Sequence, residues 1–152
     1  MAQKKSNYKE VLGKAEKDMR KRLSSALQNT AIEAIGRLAN RTPVDTGAAR
    51  FHWFVRALPD ENFDKTRVDP AGDLAKQRAK RDVKLFTIGQ IVYLVNAAPY
   101  FQYLEAGSST QAPNGVVAIT LAEMDLLWSK EVKAAFSIDP RTSPSGSSYA
   151  QK

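Results

Sequence analysis

Ile-Val-Tyr-Leu-Val-Asn-Ala-Ala-Pro-Tyr-Phe-Gln-Tyr-Leu-Glu-Ala-Gly-Ser-Ser-Thr-Gln-Ala-Pro-Asn-Gly, residues 91–115, sets three kinds of local structure side by side. Ile91 to Val95 is apolar and rich in β-branched residues, and polar Gln90 and Asn96 bound it, which predicts a buried strand. Pro99 suits the first turn of a helix, where its missing N–H costs nothing. Helical spacing then puts Tyr100, Tyr103 and Leu104 on one face and turns Glu105 away. Gly107 ends that turn, and residues 107–115 are a loop by composition. The stretch predicts a packing unit followed by a presented loop, with no complete catalytic constellation.

Working outward, Val83 to Thr87 reads as a second strand, joined to Ile91–Val95 by a hairpin at Gly89-Gln90. Downstream, Val116, Val117, Ile119, Leu121, Met124, Leu127, Trp128, Val132 and Phe136 follow helical spacing to about Ala135. From Ser137 the chain is rich in serine and proline, which predicts a flexible tail over residues 137–152. Upstream, Val11, Leu12, Ala15, Met19, Leu23, Ala26, Leu27, Thr30, Ala34, Ile35 and Leu38 recur at three- and four-residue steps, predicting one long helix from Tyr8 to Arg41. Pro43 pushes Thr42 out of the helical region and ends it. Phe51 to Arg56 alternates as a half-buried strand does, with Phe51, Trp53 and Val55 on one side and His52, Phe54 and Arg56 on the other. Residues 57–72 are a long polar loop, and such loops are usually functional or mobile. Asp69 or Asp73 caps a helix running to about Asp82. The order predicts an α+β fold: one domain over residues 1–136, with a small antiparallel sheet packed against a long N-terminal and a long C-terminal helix.

At 152 residues, 43% hydrophobic and 26% charged, the chain has the composition of a single globular domain with a real core. No apolar run is long enough to span a bilayer, and the N-terminus lacks a signal peptide's apolar segment, so no membrane partner is expected. The absence of cysteine removes disulfides, thiolate metal sites and cysteine nucleophiles together. A net charge of +7 favours acidic partners. Two basic clusters, Lys14, Lys17, Arg20, Lys21 and Arg22 in the first helix and Lys76, Arg78, Lys80 and Arg81 in the second, are the candidate contacts for DNA or an acidic surface. A solvated helix face is the plainer reading of both.

Asp45-Thr46-Gly47-Ala48 is the one enzyme-like signature. It resembles the active-site signature of aspartic proteases, in which two carboxylates share a proton, so a homodimer could supply one Asp45 per chain. Pro43 and the helix just upstream oppose it, because that fold runs a strand into the signature. The alternative is a turn in which Asp45 and Thr46 bond local backbone and Gly47 supplies an unusual φ. His52 is the only histidine, so neither a metal cluster nor a serine triad is assembled, and no metal, cofactor or catalytic residue is expected. A basic nucleic-acid-binding protein is the other alternative, without any sequence-reading motif.

In order along the chain stand Thr42-Pro-Val-Asp-Thr-Gly-Ala-Ala-Arg50 before a strand with Trp53, then Asn96-Ala-Ala-Pro-Tyr100 with Tyr103-Leu-Glu-Ala-Gly-Ser-Ser109, then Gln111-Ala-Pro-Asn-Gly115 before a helix. This set resembles the small neck or tail-completion (head–tail joining) proteins of long-tailed, lambdoid-type bacteriophages, over residues 10–136. The resemblance implies a structural virion protein without catalysis, made in the host cytoplasm. It implies a sixfold or twelvefold ring of copies around the DNA channel, between portal-side connector or adaptor proteins and the tail terminator or tail tube. It further implies that Asp45, Thr46 and Gly47 shape a turn, that Tyr100, Tyr103 and Glu105 anchor a short helix, and that residues from Gly107, Ser108 and Ser109 through Gln111 to Pro113 form a loop offered to a neighbouring subunit. The packaged double-stranded DNA is a further expected contact for the basic clusters.

Overall fold

The structure is a computed structural model, and it describes residues 2–59 and 61–137. The fold is α+β. Helix α1 (Ala2–Arg41) is followed by a short α2 (Ala48–Phe51), strand β1 (Trp53–Arg56) and α3 (Asp73–Asp82). A 3-10 turn at Val83–Leu85, strand β2 (Tyr93–Asn96) and helices α4 (Phe101–Glu105), α5 (Val117–Ala122) and α6 (Met124–Phe136) complete the described chain. The tail expectation beyond Ser137 lies outside the described residues.

The two strands pair antiparallel with Trp53 opposite Asn96 and Arg56 opposite Tyr93. Trp53, Val55 and Leu94 thereby share the face that meets Ile35 and Leu38 of α1, while Ala75 and Ala79 bring α3 into the same core. Alanines at both α3 positions let the helix approach closely. Asp69 is its cap: buried, it accepts from the N–H groups of Gly72, Leu74 and Ala75 (3.0, 2.7 and 3.2 Å), satisfying donors that a helix start leaves open. The exposed Asp73 does not serve that role.

Four sequence expectations change. Val83–Thr87 is not a strand, and no hairpin joins it to residues 91–95. Val83 and Phe86 are buried three residues apart, as a helical turn places them. Gln28 of α1 donates to the Phe86 carbonyl (2.7 Å) and Ser24 accepts from Ile88 N–H (3.0 Å), so α1 takes backbone bonds a ladder would have made. Strand β2 starts two residues later than predicted and pairs with β1 instead, leaving Ile91 exposed. Phe51 belongs to α2, and the second face of β1 is covered too: His52 and Phe54 are buried beneath Phe63 and Arg78. The helix expected across residues 116–135 breaks at Glu123, whose carboxylate is held by Arg37 and Arg41 of α1. The main packing of α6 is along α1.

His52 is satisfied on both ring nitrogens. Asp64 N–H donates to Nε2 (3.0 Å), so Nδ1 carries the proton and donates to the Ala48 carbonyl (2.7 Å). That is a packed core histidine holding α2 to the 61–69 loop.

Candidate functional site

The two sequence signatures, about fifty residues apart, meet in one place. A cleft of about 180 Å³ is lined by residues 43–49 on one side and by Tyr100, Leu104, Ser109 and Gln111 on the other. Its closure starts at the end of α1. Thr42 is fully buried; its hydroxyl donates to the Leu38 carbonyl (2.7 Å) and accepts from the Trp53 indole N–H (2.9 Å). Trp53 in turn stands edge-on to Phe101, with ring centroids 5.0 Å apart. One buried hydroxyl therefore links α1, β1 and α4, and such a satisfied polar pair fixes geometry that apolar packing alone leaves loose.

The turn after Pro43 has two of the three features expected of it, and among the described residues the Asp45 side chain makes no bond to local backbone. Thr46 accepts from Ala48 N–H (3.3 Å), and Gly47 has φ +90°. A Cβ at Gly47 would lie 2.6 Å from the Pro70 nitrogen, so glycine is needed both for the dihedral and for the approach of the 61–72 loop. Arg50 then donates to the carbonyls of Thr42, Pro70 and Asn40 (2.8, 2.7 and 3.2 Å), tying the turn to both neighbours. Asp45 is exposed at the lip of the cleft, with no strand entering it. The neighbouring Tyr100 hydroxyl is pushed up from its usual range, by burial first and then by the Asp45 charge.

From the other side, Gln111 spans to the turn with two bonds: its carbonyl accepts from Val44 N–H and its amide donates to the Val44 carbonyl, both at 3.0 Å. That pair imitates one rung of a β-ladder and pins the 107–115 loop to residues 43–45. Gly107 at φ +83° lets the loop close against the Pro113 carbonyl. Asn96 anchors the strand end, donating to the Ala49 carbonyl and accepting from Ala98 N–H (both 2.9 Å).

Glu105 departs from its expected orientation. It turns inward, and its carboxylate accepts from the N–H groups of Val116, Val117 and Ala118 (2.7, 2.7 and 2.9 Å). It caps α5 from a distance. Burial pushes its carboxyl up, but these three donors outweigh that and hold it below the usual range. Of the two tyrosines expected to anchor α4, Tyr103 is on its exposed side, Tyr100 stands just before the helix with its ring edge-on to Phe63 (centroids 5.7 Å apart), and Phe101 makes the core contact.

The basic clusters divide. Lys14, Lys17 and Lys21 are exposed and have no ion-pair partner among the described residues, whereas Arg20 pairs with Glu16 and Arg22 with Asp18. In α3, Lys80 is exposed, Lys76 reaches Glu33 (3.4 Å) and Arg81 pairs with Asp82. Arg78 is half-buried. Its guanidinium lies 4.6 Å from the Phe51 ring and 4.1 Å from the Phe54 ring and donates to the Phe51 and Trp53 carbonyls. Burial, and then the Arg56 charge, lower its pKa. Nothing in its spacing distinguishes it from Lys80 or Arg81, and only the fold does.

Among the described residues, no group of three or more His, Cys, Asp or Glu residues could hold a metal ion, and no helix is long and apolar enough to cross a membrane. The chain matches no protein-family model, no curated protein and no solved structure.

Proposed function

We propose that this chain is a structural subunit of a bacteriophage head–tail junction, one copy in a ring that joins portal-side connector proteins to the tail around the DNA channel. The observation that carries the reading is the meeting of the two signatures. Gln111 bonds Val44, Asn96 bonds Ala49, and Glu105 caps α5, so the residues that resemble the neck family act together as one structural joint. The Gln111, Asn96 and Glu105 side chains are engaged by backbone, which suits a scaffold. The exposed Lys14, Lys17 and Lys21, with Lys80, suit a face turned to packaged DNA or to an acidic neighbour.

The test is genetic. With the gene disrupted in its phage, the reading expects filled heads and finished tails that accumulate unjoined, and complementation in trans restores joined particles. Joined, infectious particles made without the protein would contradict it.

A further inference from the structure

Among the described residues, nothing covers one end of α1. Residues 7–21 are exposed throughout, roughly four turns of helix projecting from the body. Tyr8, Leu12, Ala15 and Met19 fall on one line at three- and four-residue steps, and Tyr8, Leu12 and Met19 are 67%, 51% and 54% exposed. The same line continues through Arg22, Ala26, Thr30, Arg37 and Arg41, and there α6 lies on it. Arg37 and Arg41 bind Glu123 at the start of α6, and Arg22 donates to the Ala135 carbonyl (3.0 Å) and lies 5.8 Å from the Phe136 ring at its end. The seam between α1 and α6 thus stops with α6, while the apolar line on α1 runs on.

A second apolar feature is unfilled by any of the described residues. Between β2, α4, α5 and Leu38 of α1 lies a groove of about 490 Å³. Trp53, Leu94, Phe101, Val117, Leu121 and Met124 line it, with no charged side chain. Leu121 at its rim is 64% exposed.

We infer that the projecting end of α1 seats its Tyr8–Met19 line in the apolar groove of a second copy of this chain. An amphipathic helix with anchors at three- and four-residue steps is the shape an apolar groove of this kind accepts. The arm cannot reach its own groove: Met19 and Leu38 stand on one unbroken helix, roughly 28 Å apart at 1.5 Å per residue. The chain's own remaining segment is a poor cover. Residues 138–152 begin where α6 ends, but Ile138 and Tyr149 are their only large apolar residues, and Pro140, Pro144 and Gly146 oppose a helix that would extend the seam. The contact is also small for a stable pair, because standard interfaces engage about 20–30 residues a side. Each chain carries one arm and one groove, however, so the contact repeats head to tail. Closing it into a ring holds every copy twice. The inference takes its setting from the ring reading above, but its test needs no virion.

Because the chain lacks cysteine, single exposed thiols report the contact cleanly. Chains bearing Met19→Cys and Leu121→Cys are oxidised separately and mixed, with thermal melting as the fold control. The expected result is a cross-link in the mixture and not in either chain alone. In the mixture, adding Leu12→Glu to the arm lowers the yield about tenfold, since a carboxylate does not enter an apolar groove. The Leu12→Glu chain should melt where the parent does. Met19→Cys linking to itself as well as to its partner would overturn the inference in favour of arm–arm pairing. No cross-link in the mixture would overturn it outright. A cross-link that forms only after residues 138–152 are removed would assign the arm to the chain's own tail and overturn it as well. Any of these could occur with the protein still found at the head–tail junction, and a head-to-tail cross-link could form in a protein that belongs to no virion.

Discussion

The joint between residues 42–50 and 96–117 and the projecting end of α1 are opposites. In the joint the polar groups that tie its segments together have internal partners: Thr42 with Trp53, Gln111 with Val44, and Glu105 with three backbone N–H groups. The arm has i,i+4 ion pairs on its own surface, Arg20 with Glu16 and, at its base, Arg22 with Asp18, and an apolar line facing outward. The contrast separates what makes the fold from what the described residues leave uncovered. The conspicuous sequence signatures hold the fold together, and the less conspicuous helix leaves an apolar line exposed.

Substitutions in the joint should therefore be costly to stability, and those in the arm nearly silent. The largest effect is expected for Trp53→Ala, which empties a core site, takes from the Thr42 hydroxyl the bond it accepts and removes the Phe101 contact. A loss of about 3–5 kcal/mol in denaturant unfolding is expected. Gly47→Ala comes next, at about 3 kcal/mol, because its Cβ meets Pro70 backbone at a positive φ. A near-neutral result there would break the claim that the 61–72 loop is locked on the turn. Glu105→Ala should cost about 1–2 kcal/mol, the range for losing a helix cap.

Acid sharpens the comparison further. The carboxyl of Glu123 is held down to about 2 by hydrogen bonds from Arg41 and Arg37, and that of Glu105 is lowered as well. A carboxyl lowered in the folded state adds stability that is present above its unfolded value and disappears as pH falls through its folded one. The melting temperature should thus fall between about pH 4.5 and about pH 2, and Glu123→Gln should flatten the lower part of that fall. An acid profile unchanged by Glu123→Gln would place the sensitivity elsewhere. Smallest of all, Leu12→Glu on the arm should leave unfolding within about 0.5 kcal/mol of the parent, as surface changes usually do. A loss as large as that of Glu105→Ala would mean the arm is not free in the isolated chain.

Local signals explain which elements the sequence made legible. The line of apolar residues in α1 keeps one period over nearly thirty positions, and the breaks at Pro43 and Gly107 come from residues with distinctive backbone behaviour. The α+β class follows from those elements in order. The partner of β2 was not legible, because pairing β1 with β2 spans some forty residues and a short apolar run such as Val83–Thr87 fits a strand or a helical turn equally. The joint was legible as two signatures but not as one site: the Gln111 bonds to Val44 cross 67 positions. Glu105 was misplaced because a helical wheel for α4 contains only α4, and its partners lie at the start of α5. Arg78 and the break at Glu123 carry no local mark, since an arginine between two phenylalanines and a glutamate between two arginines exist only after folding.

The most direct test of the central claim is the copy number of this protein in purified phage particles, measured by quantitative mass spectrometry against the other virion proteins. A neck ring predicts a fixed value of about six or about twelve per particle, the closed symmetric counts. Absence from particles, or a copy number that varies between preparations, would contradict it.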